Sequence, residues 1–138
     1  MTTLKILGGE KKLSVSDLEK FESDYGIELP GNYRTFMIKH NGGYIDSYHE
    51  FLGSFRPIKY GQGTVEHAIQ SMSIHESILD SEFIPIANHH AGNPITLCVR
   101  SGELYGKIII FYFDRDEEPE IVANSLEELL GVKSIDEL

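Results

Sequence analysis

The sequence lacks the features that mark disulfide-bonded, membrane-spanning and secreted proteins. Its 138 residues include a single cysteine, Cys98, so no disulfide can form within the chain. No apolar run reaches the roughly 20 residues that a membrane-spanning helix needs. The first 13 residues lack the apolar stretch and the small-residue cleavage site of a signal peptide. We therefore expect a protein that is made and kept in a reducing cytoplasm.

Basic residues are also scarce. Lysine and arginine number 12 against 22 aspartates and glutamates, which gives a net charge of −10 at neutral pH. Residues 70–138 hold 13 of the acids and 4 of the bases, so the imbalance lies in the second half. This charge disfavours nucleic acid and anionic membranes as partners, because both bind basic surfaces. It suits a basic protein partner, although acidity that serves only solubility is the commoner explanation.

The length of the chain favours one domain over residues 1–138. The composition, 41% hydrophobic and 25% charged, is that of an ordinary globular protein. A chain of this size can bury a substantial core without disulfides or metals. No internal repeat, low-complexity segment or linker interrupts the sequence.

A first amphipathic helix is predicted over residues 15–25. Ser14 can cap it, with Asp17 reciprocating at the third helical position, and Ser16 with Glu19 offers a second register. Gly26 is a suitable left-handed terminator. The apolar face contains Val15, Leu18, Phe21 and Tyr25.

A second short helix follows in the stretch LPGNYRTFMIKHNGG. Pro30 suits its first turn, and Asn41 and Gly42 suit its end. Neither helix is long enough to be stable alone, so we expect a helical hairpin whose aromatic faces pack on another element. The face of the second helix contains Tyr33, Phe36, Met37 and His40.

The rest of the chain predicts a sheet and a last helix. The run 107–113 (KIIIFYF) is apolar enough for a central strand, and Pro85 indicates an edge or a bulge in its own strand. Short connections favour antiparallel pairing, and the order of elements favours an α+β fold. Strands are predicted at 50–58, 83–87, 95–99, 107–113 and 120–123, and helices at 64–72 and after Ser125.

No catalytic or metal-binding motif stands out. The glycines of Asn41-Gly42-Gly43 follow a helix, where the dipole repels phosphate, so we interpret them as a helix end. His89 and His90 are adjacent, and neighbours on an extended chain face opposite ways, which favours a surface loop. Cys98 lies in an apolar run without the base that a nucleophile needs. We therefore predict no enzyme, no cofactor and no metal site.

The order of the motifs is more specific than any one of them. The helix DLEKFESDYGIELP, the helix NYRTFMIKH and Asn-Gly-Gly follow one another, and FIPIANHHAGNPITLCV, KIIIFYFD and NSLEELL come later. Over roughly residues 14–130 this succession resembles the SUKH superfamily. That group contains fungal regulators of cell-wall assembly and killer-toxin resistance, and bacterial immunity proteins of polymorphic toxin systems.

The resemblance implies helices packed on an antiparallel sheet and a protein that binds a cognate toxin domain and blocks it without catalysis. Such toxin domains are often nucleases with basic grooves, which an acidic surface can enter. The alternatives are a regulatory scaffold and a small hydrolase or ligand-binding protein that uses His89 and His90. From the location of charge, we predict a partner-binding surface formed by Asp114, Asp116, Glu117, Glu118 and Glu120, with Tyr105 and Tyr112 as anchors. The alternative for residues 114–120 is an ordinary solvated hairpin loop without a binding role.

Overall fold

The computed structural model describes residues 4–138. None of the helices within that range is both long and apolar enough to cross a bilayer. Two sheets and four α-helices make up most of the regular structure. In chain order they are β1 (Ile6–Leu7), α1 (Val15–Tyr25), α2 (Gly31–Lys39), β2 (Tyr44–Ile45), β3 (Leu52–Phe55), α3 (Val65–Ala68), β4 (Phe83–His89), β5 (Pro94–Cys98), β6 (Ile108–Ile110), β7 (Glu120–Ala123) and α4 (Leu126–Leu130).

Helix α1 begins with a reciprocal cap. The Ser14 hydroxyl accepts a hydrogen bond from the Asp17 amide, and the Asp17 carboxylate accepts one from the Ser14 amide. Gly26 ends the helix in the left-handed conformation, with φ of 64°. These contacts confirm the first of the two predicted registers. Leu13 and Leu18 are both buried, as a hydrophobic staple requires.

Helix α2 joins the helical hairpin to the main sheet. Its residues Tyr33, Phe36 and Met37 are fully buried, and the Phe36 ring lies 4.7 Å from that of Phe55 in β3, centroid to centroid. This packing confirms the prediction that the aromatic face needs a partner element. Val15 does not share this burial: it was predicted on the buried face of α1 but is 56% exposed.

The main sheet has the strand order β3-β4-β5-β6-β7, and every pair is antiparallel. Strand β5 lies in the middle and is buried along its whole length, and the three isoleucines of β6 are buried beside it. Strands β1 and β2 form a separate ribbon, which a bridge between Gly43 and Phe55 links to β3. The α+β prediction is confirmed.

Pairing confirms one prediction about strands and corrects another. The register of β4 against β5 shifts between Pro85 and Ala87, which confirms the bulge predicted as one of two options, and β3 pairs only with residues 87–89 of β4, beyond the proline. The strand predicted over 50–58 is limited to β3, since the preceding residues turn and Pro57 has no N–H to donate.

Two further elements differ in extent from the sequence prediction. The helix expected over 64–72 is α-helical only in α3 and continues as a π-helix over Ile69–His75. The apolar run 107–113 contributes only β6 to the sheet, because the chain leaves the ladder after Ile110. The final helix α4 is capped by Ser125, as predicted, through a bond from the Glu128 amide.

The Asn-Gly-Gly turn is structural, as the sequence indicated, but it does not cap α2, because the helix ends at Lys39 and the extended His40 is its C-cap. Asn41 is buried, and its amide nitrogen donates to the carbonyl oxygens of Lys11 and Ile58, both at 2.9 Å. Its side-chain oxygen accepts the Ile58 N–H at 2.7 Å. Gly42 and Gly43 both have positive φ, and a Cβ on Gly43 would lie 2.3 Å from the Leu7 carbonyl oxygen.

Replacing Asn41 with alanine would leave the Ile58 N–H and two carbonyl groups without their partner in the core. We expect Asn41→Ala to lower the free energy of unfolding by about 2–4 kcal/mol. Urea denaturation followed by circular dichroism measures the change. Asn124→Ala, at an exposed position, serves as the control, and equal losses in the two variants would contradict the role of Asn41.

The cap of α1 should respond to acid. A hydrogen bond from the Lys59 ammonium at 2.7 Å and one from the Ser14 amide lower the pKa of Asp17 from 3.8 to about 2. Because the pKa of Asp17 is lower in the folded than in the unfolded chain, its carboxylate stabilises the fold above pH 3.8, and this stabilisation is lost as the pH falls towards 2. Asp17→Asn should therefore flatten the dependence of Tm on pH in this window, and Lys59→Gln should weaken it. Parallel profiles for wild type and Asp17→Asn would refute this.

Candidate functional site

The antiparallel order brings three connections to one end of the main sheet. Strands β3, β5 and β7 begin there, and β4 and β6 end there. The connections are residues 46–51, which lead into β3, the β4–β5 turn at 90–93, and the β6–β7 loop at 111–119. We call this the acidic end of the sheet, because the acidic residues of 114–120 lie there.

The β6–β7 loop is solvent-exposed yet fixed at its base. Residues 113–121 are all exposed, which confirms the predicted hairpin loop. Asn93, only 3% exposed, donates from its amide nitrogen to the Asp114 carboxylate at 2.9 Å. Its side-chain oxygen accepts the Phe113 N–H at 2.9 Å. One buried amide therefore holds the root of the loop against the β4–β5 turn.

Part of the acidic charge is balanced within the loop. Arg115 lies 3.3 Å from the Asp114 carboxylate and 3.7 Å from that of Glu117. The bond from Asn93, followed by the contact with Arg115, lowers the pKa of Asp114, so this carboxylate stays charged. Residues 114–120 keep five carboxylates against one guanidinium, so the loop remains strongly negative.

Tyr112 belongs to the same surface. Its hydroxyl donates to the Glu120 carboxylate at 2.9 Å, and the Arg115 guanidinium lies 4.9 Å from its ring centroid. Burial and the neighbouring carboxylate of Glu120 raise the pKa of the Tyr112 phenol, so it remains a neutral donor. Tyr112 therefore contacts both an acidic and a basic side chain of the loop surface.

The connection at 46–51 presents a stacked aromatic pair. The rings of Tyr48 and His90 lie 5.7 Å apart with an interplanar angle of 7°, and Tyr48 is 85% exposed. The His90 ring nitrogen Nε2 contacts the His49 carbonyl oxygen, and the His90 amide donates to the Phe51 carbonyl at 3.3 Å. The β4–β5 turn and the 46–51 connection are thus joined directly.

His49 fixes this connection from beneath. Its Nδ1 accepts the amide hydrogens of Phe51 and Leu52, each at 3.0 Å, so Nε2 carries the proton that it donates to the Leu129 carbonyl at 2.7 Å. His49 therefore ties residues 46–51 to α4. Among the described side chains, no group of three or more histidines, cysteines, aspartates or glutamates is placed to hold a metal ion.

Tyr105 lies at the opposite end of the sheet, in the β5–β6 connection. Its hydroxyl donates to the Glu28 carbonyl at 2.8 Å in the turn of the helical hairpin, and burial raises the pKa of its phenol. The structure thus brings together six of the seven predicted partner-binding residues and separates Tyr105 from them. A partner contact at Tyr105 stays a prediction. The six are Asp114, Asp116, Glu117, Glu118, Glu120 and Tyr112.

A cleft of about 710 Å³ opens beside Tyr105, between the helical hairpin and the β5–β6 connection. Its carboxylates take part in the fold: Glu22 accepts the Leu29 N–H at 2.8 Å and lies 3.8 Å from Arg34. Glu82, on the other wall, lies 3.0 Å from Arg100. The described side chains of this cleft place no cysteine or histidine beside these acids, so the cleft gives no support to the hydrolase alternative.

The sequence did not indicate Asn93, Tyr48 or His49 as members of the site. Each acts through a partner that is distant along the chain, 80 residues in the contact of His49 with Leu129. Local patterns carry no signal for such pairs. The only trace in the sequence was that His90 lies in the Gly-containing turn that was predicted to be exposed.

The comparison with protein families agrees with this architecture. A sequence model of the SMI1 / KNR4 family (SUKH-1) matches residues 12–131. A search of curated proteins gives no match. The matched range begins just before the cap of α1 and ends at Gly131, which terminates α4, so it includes the helical hairpin and the whole main sheet. The resemblance to the SUKH superfamily is confirmed, and the chain belongs to the SMI1 / KNR4 family (SUKH-1).

Proposed function

We propose that this protein is an immunity-type protein, which binds a basic toxin domain through the acidic end of the sheet and neutralises it. Membership of the SMI1 / KNR4 family fits an immunity or regulatory protein. The observation that carries the finer proposal is the exposed β6–β7 loop, whose four carboxylates lie with that of Glu120, the first residue of β7, at one end of the sheet. A nuclease domain is the kind of toxin that this surface suits best, because its substrate groove is basic.

The geometry favours fast and specific capture. Carboxylates clustered on an exposed loop steer a basic partner over long range and raise the association rate. Asn93 fixes the root of the loop, so binding requires little ordering of the backbone and loses less conformational entropy. Both effects serve a protein that must block a toxin before the toxin reaches its substrate.

Neutralisation of this kind needs shape and charge rather than chemistry. The carboxylates of the loop already bind Asn93, Arg115 and Tyr112, which suits a docking surface and not an acid–base pair. We place this function in the cytoplasm, with the chain acting as one domain over residues 1–138. A regulatory protein that binds several cellular proteins is the second candidate, which the fungal members of the superfamily favour.

Co-expression tests the proposal directly. If the gene beside that of this protein encodes a toxin domain, expression of that domain should stop growth, and co-expression of this protein should restore it. The purified pair should form a stoichiometric complex. Persistent arrest with both proteins well expressed would contradict the immunity function, and binding to several unrelated cellular proteins would favour the regulatory candidate.

Charge reversal tests the surface. The double substitution Asp116→Lys and Glu117→Lys should slow association with the toxin domain about tenfold at low salt, because it removes the steering field of the loop. It should also flatten the dependence of the association rate on ionic strength. Stopped-flow kinetics measures both.

The single changes Glu117→Lys and Glu103→Lys provide the matched comparison, since each alters the net charge equally and Glu103 is an exposed acid in the β5–β6 connection at the opposite end of the sheet, where reversal should matter least. Glu103→Lys should keep most of the wild-type association rate, and Glu117→Lys should not. An equal effect of both changes would mean that only net charge matters, and an unchanged rate in the double variant would remove the loop from the interface.

A further inference from the structure

The acidic end carries exposed aromatic side chains that attraction between charges does not require. Tyr48 is 85% exposed and Phe113 is 43% exposed. Large aromatic side chains in contact with water are unfavourable, and when they cluster they are typical of binding surfaces, where they act as anchors. The two residues flank the β4–β5 turn, one on each side.

Both rings are presented on a fixed backbone. Tyr48 stacks on His90, which is itself fastened to residues 49–51, so one face of the Tyr48 ring is supported and the other is free. The Phe113 N–H is held by Asn93. Rings that are held in place lose little entropy when a partner covers them.

The loop contains an example of the chemistry that would cover them. The Arg115 guanidinium lies over the Tyr112 ring and contacts the carboxylates of Asp114 and Glu117 at its edge. A guanidinium next to an aromatic ring and a carboxylate can stack on the ring and donate hydrogen bonds to the carboxylate at the same time. Phe113 offers a further aromatic face directly before Asp114, and Tyr48 offers one at the same end of the sheet, in a connection that carries the exposed acids Asp46 and Glu50.

We propose that the acidic end is an arginine-selective docking surface, on which Tyr48 and Phe113 receive guanidinium groups of the partner and the carboxylates nearest to each ring bind their N–H groups. The inference rests on the proposed function, since it specifies the chemistry of the basic partner. Lysine fits less well, because its compact ammonium is strongly hydrated and does not stack as a plane. A second copy of this chain would bring two acidic loops together and is repelled.

The two parts of the surface have separable effects. The carboxylates attract any cation, whereas the aromatic rings distinguish arginine from lysine. The ratio of affinities for arginine and lysine therefore reports on Tyr48 and Phe113, and the absolute affinity reports on the loop.

Two peptides of equal charge measure this ratio. Acetylated hexa-arginine and hexa-lysine are titrated into the full-length protein, with calorimetry and amide chemical shifts as readouts. We expect hexa-arginine to bind roughly threefold to tenfold more tightly, with shifts at residues 46–51 and 111–119. Tyr48→Ala combined with Phe113→Ala should bring the ratio close to one and leave the affinity for hexa-lysine nearly unchanged.

Three matched variants complete the design. Tyr48→Leu with Phe113→Leu keeps apolar side chains without aromatic faces and should also lose the preference. Tyr105→Ala, at the opposite end of the sheet, should retain it. Asp116→Lys with Glu117→Lys should weaken both peptides together.

Equal affinity of the wild type for the two peptides would overturn the inference, and so would a preference that survives in both double aromatic variants. The test is independent of the toxin. A clear arginine preference with failed rescue from the toxin would leave this surface in place and contradict the immunity function. Rescue without any arginine preference would support the immunity function and contradict the arginine-selective surface.

Discussion

The buried amide of Asn93 is the contact on which the acidic end depends. It donates to the Asp114 carboxylate and accepts the Phe113 N–H, so one side chain joins the β4–β5 turn to the β6–β7 loop. Asn93 is almost fully buried, so its amide nitrogen and its side-chain oxygen could not bind water instead, and losing either hydrogen bond would be costly. The base of the loop is therefore fixed. An acidic loop, which self-repulsion would otherwise spread, is thereby held as a defined surface.

Scaffold and surface are built from different residues. The sheet is filled by isoleucines of β5 and β6 and closed by the aromatic face of α2, with Tyr33 and Phe36 fully buried. These residues determine stability and give no sign of a partner. Apart from Glu120, the first residue of β7, the candidate surface lies in connections at one end, as is usual where a rigid scaffold positions variable loops. The same fold can therefore serve different partners by exchange of loops, which agrees with a family of immunity and regulatory proteins.

Local signals in the sequence were sufficient for much of the fold. The cap of Ser14 and Asp17, the left-handed Gly26 and the antiparallel pairing of close strands all act within a few residues. The strand predicted over 107–113 was too long, because only Ile108–Ile110 find ladder partners, and those partners lie on β5 and β7, outside the run itself. For the site, composition located the acidic loop. Tyr48 and Asn93 were missed because their contacts, with His90 and Asp114, form only after folding.

If the proposed function is correct, the basic partner covers the acidic end and not the rest of the molecule. Amide hydrogen exchange, compared between the free protein and its complex with the toxin domain that co-expression identifies, tests this residue by residue. We expect slower exchange in residues 46–51, 90–93 and 111–119, with the β5–β6 connection at 99–107 unchanged. Protection confined to residues 99–107, with exchange in the β6–β7 loop unaltered, would contradict it.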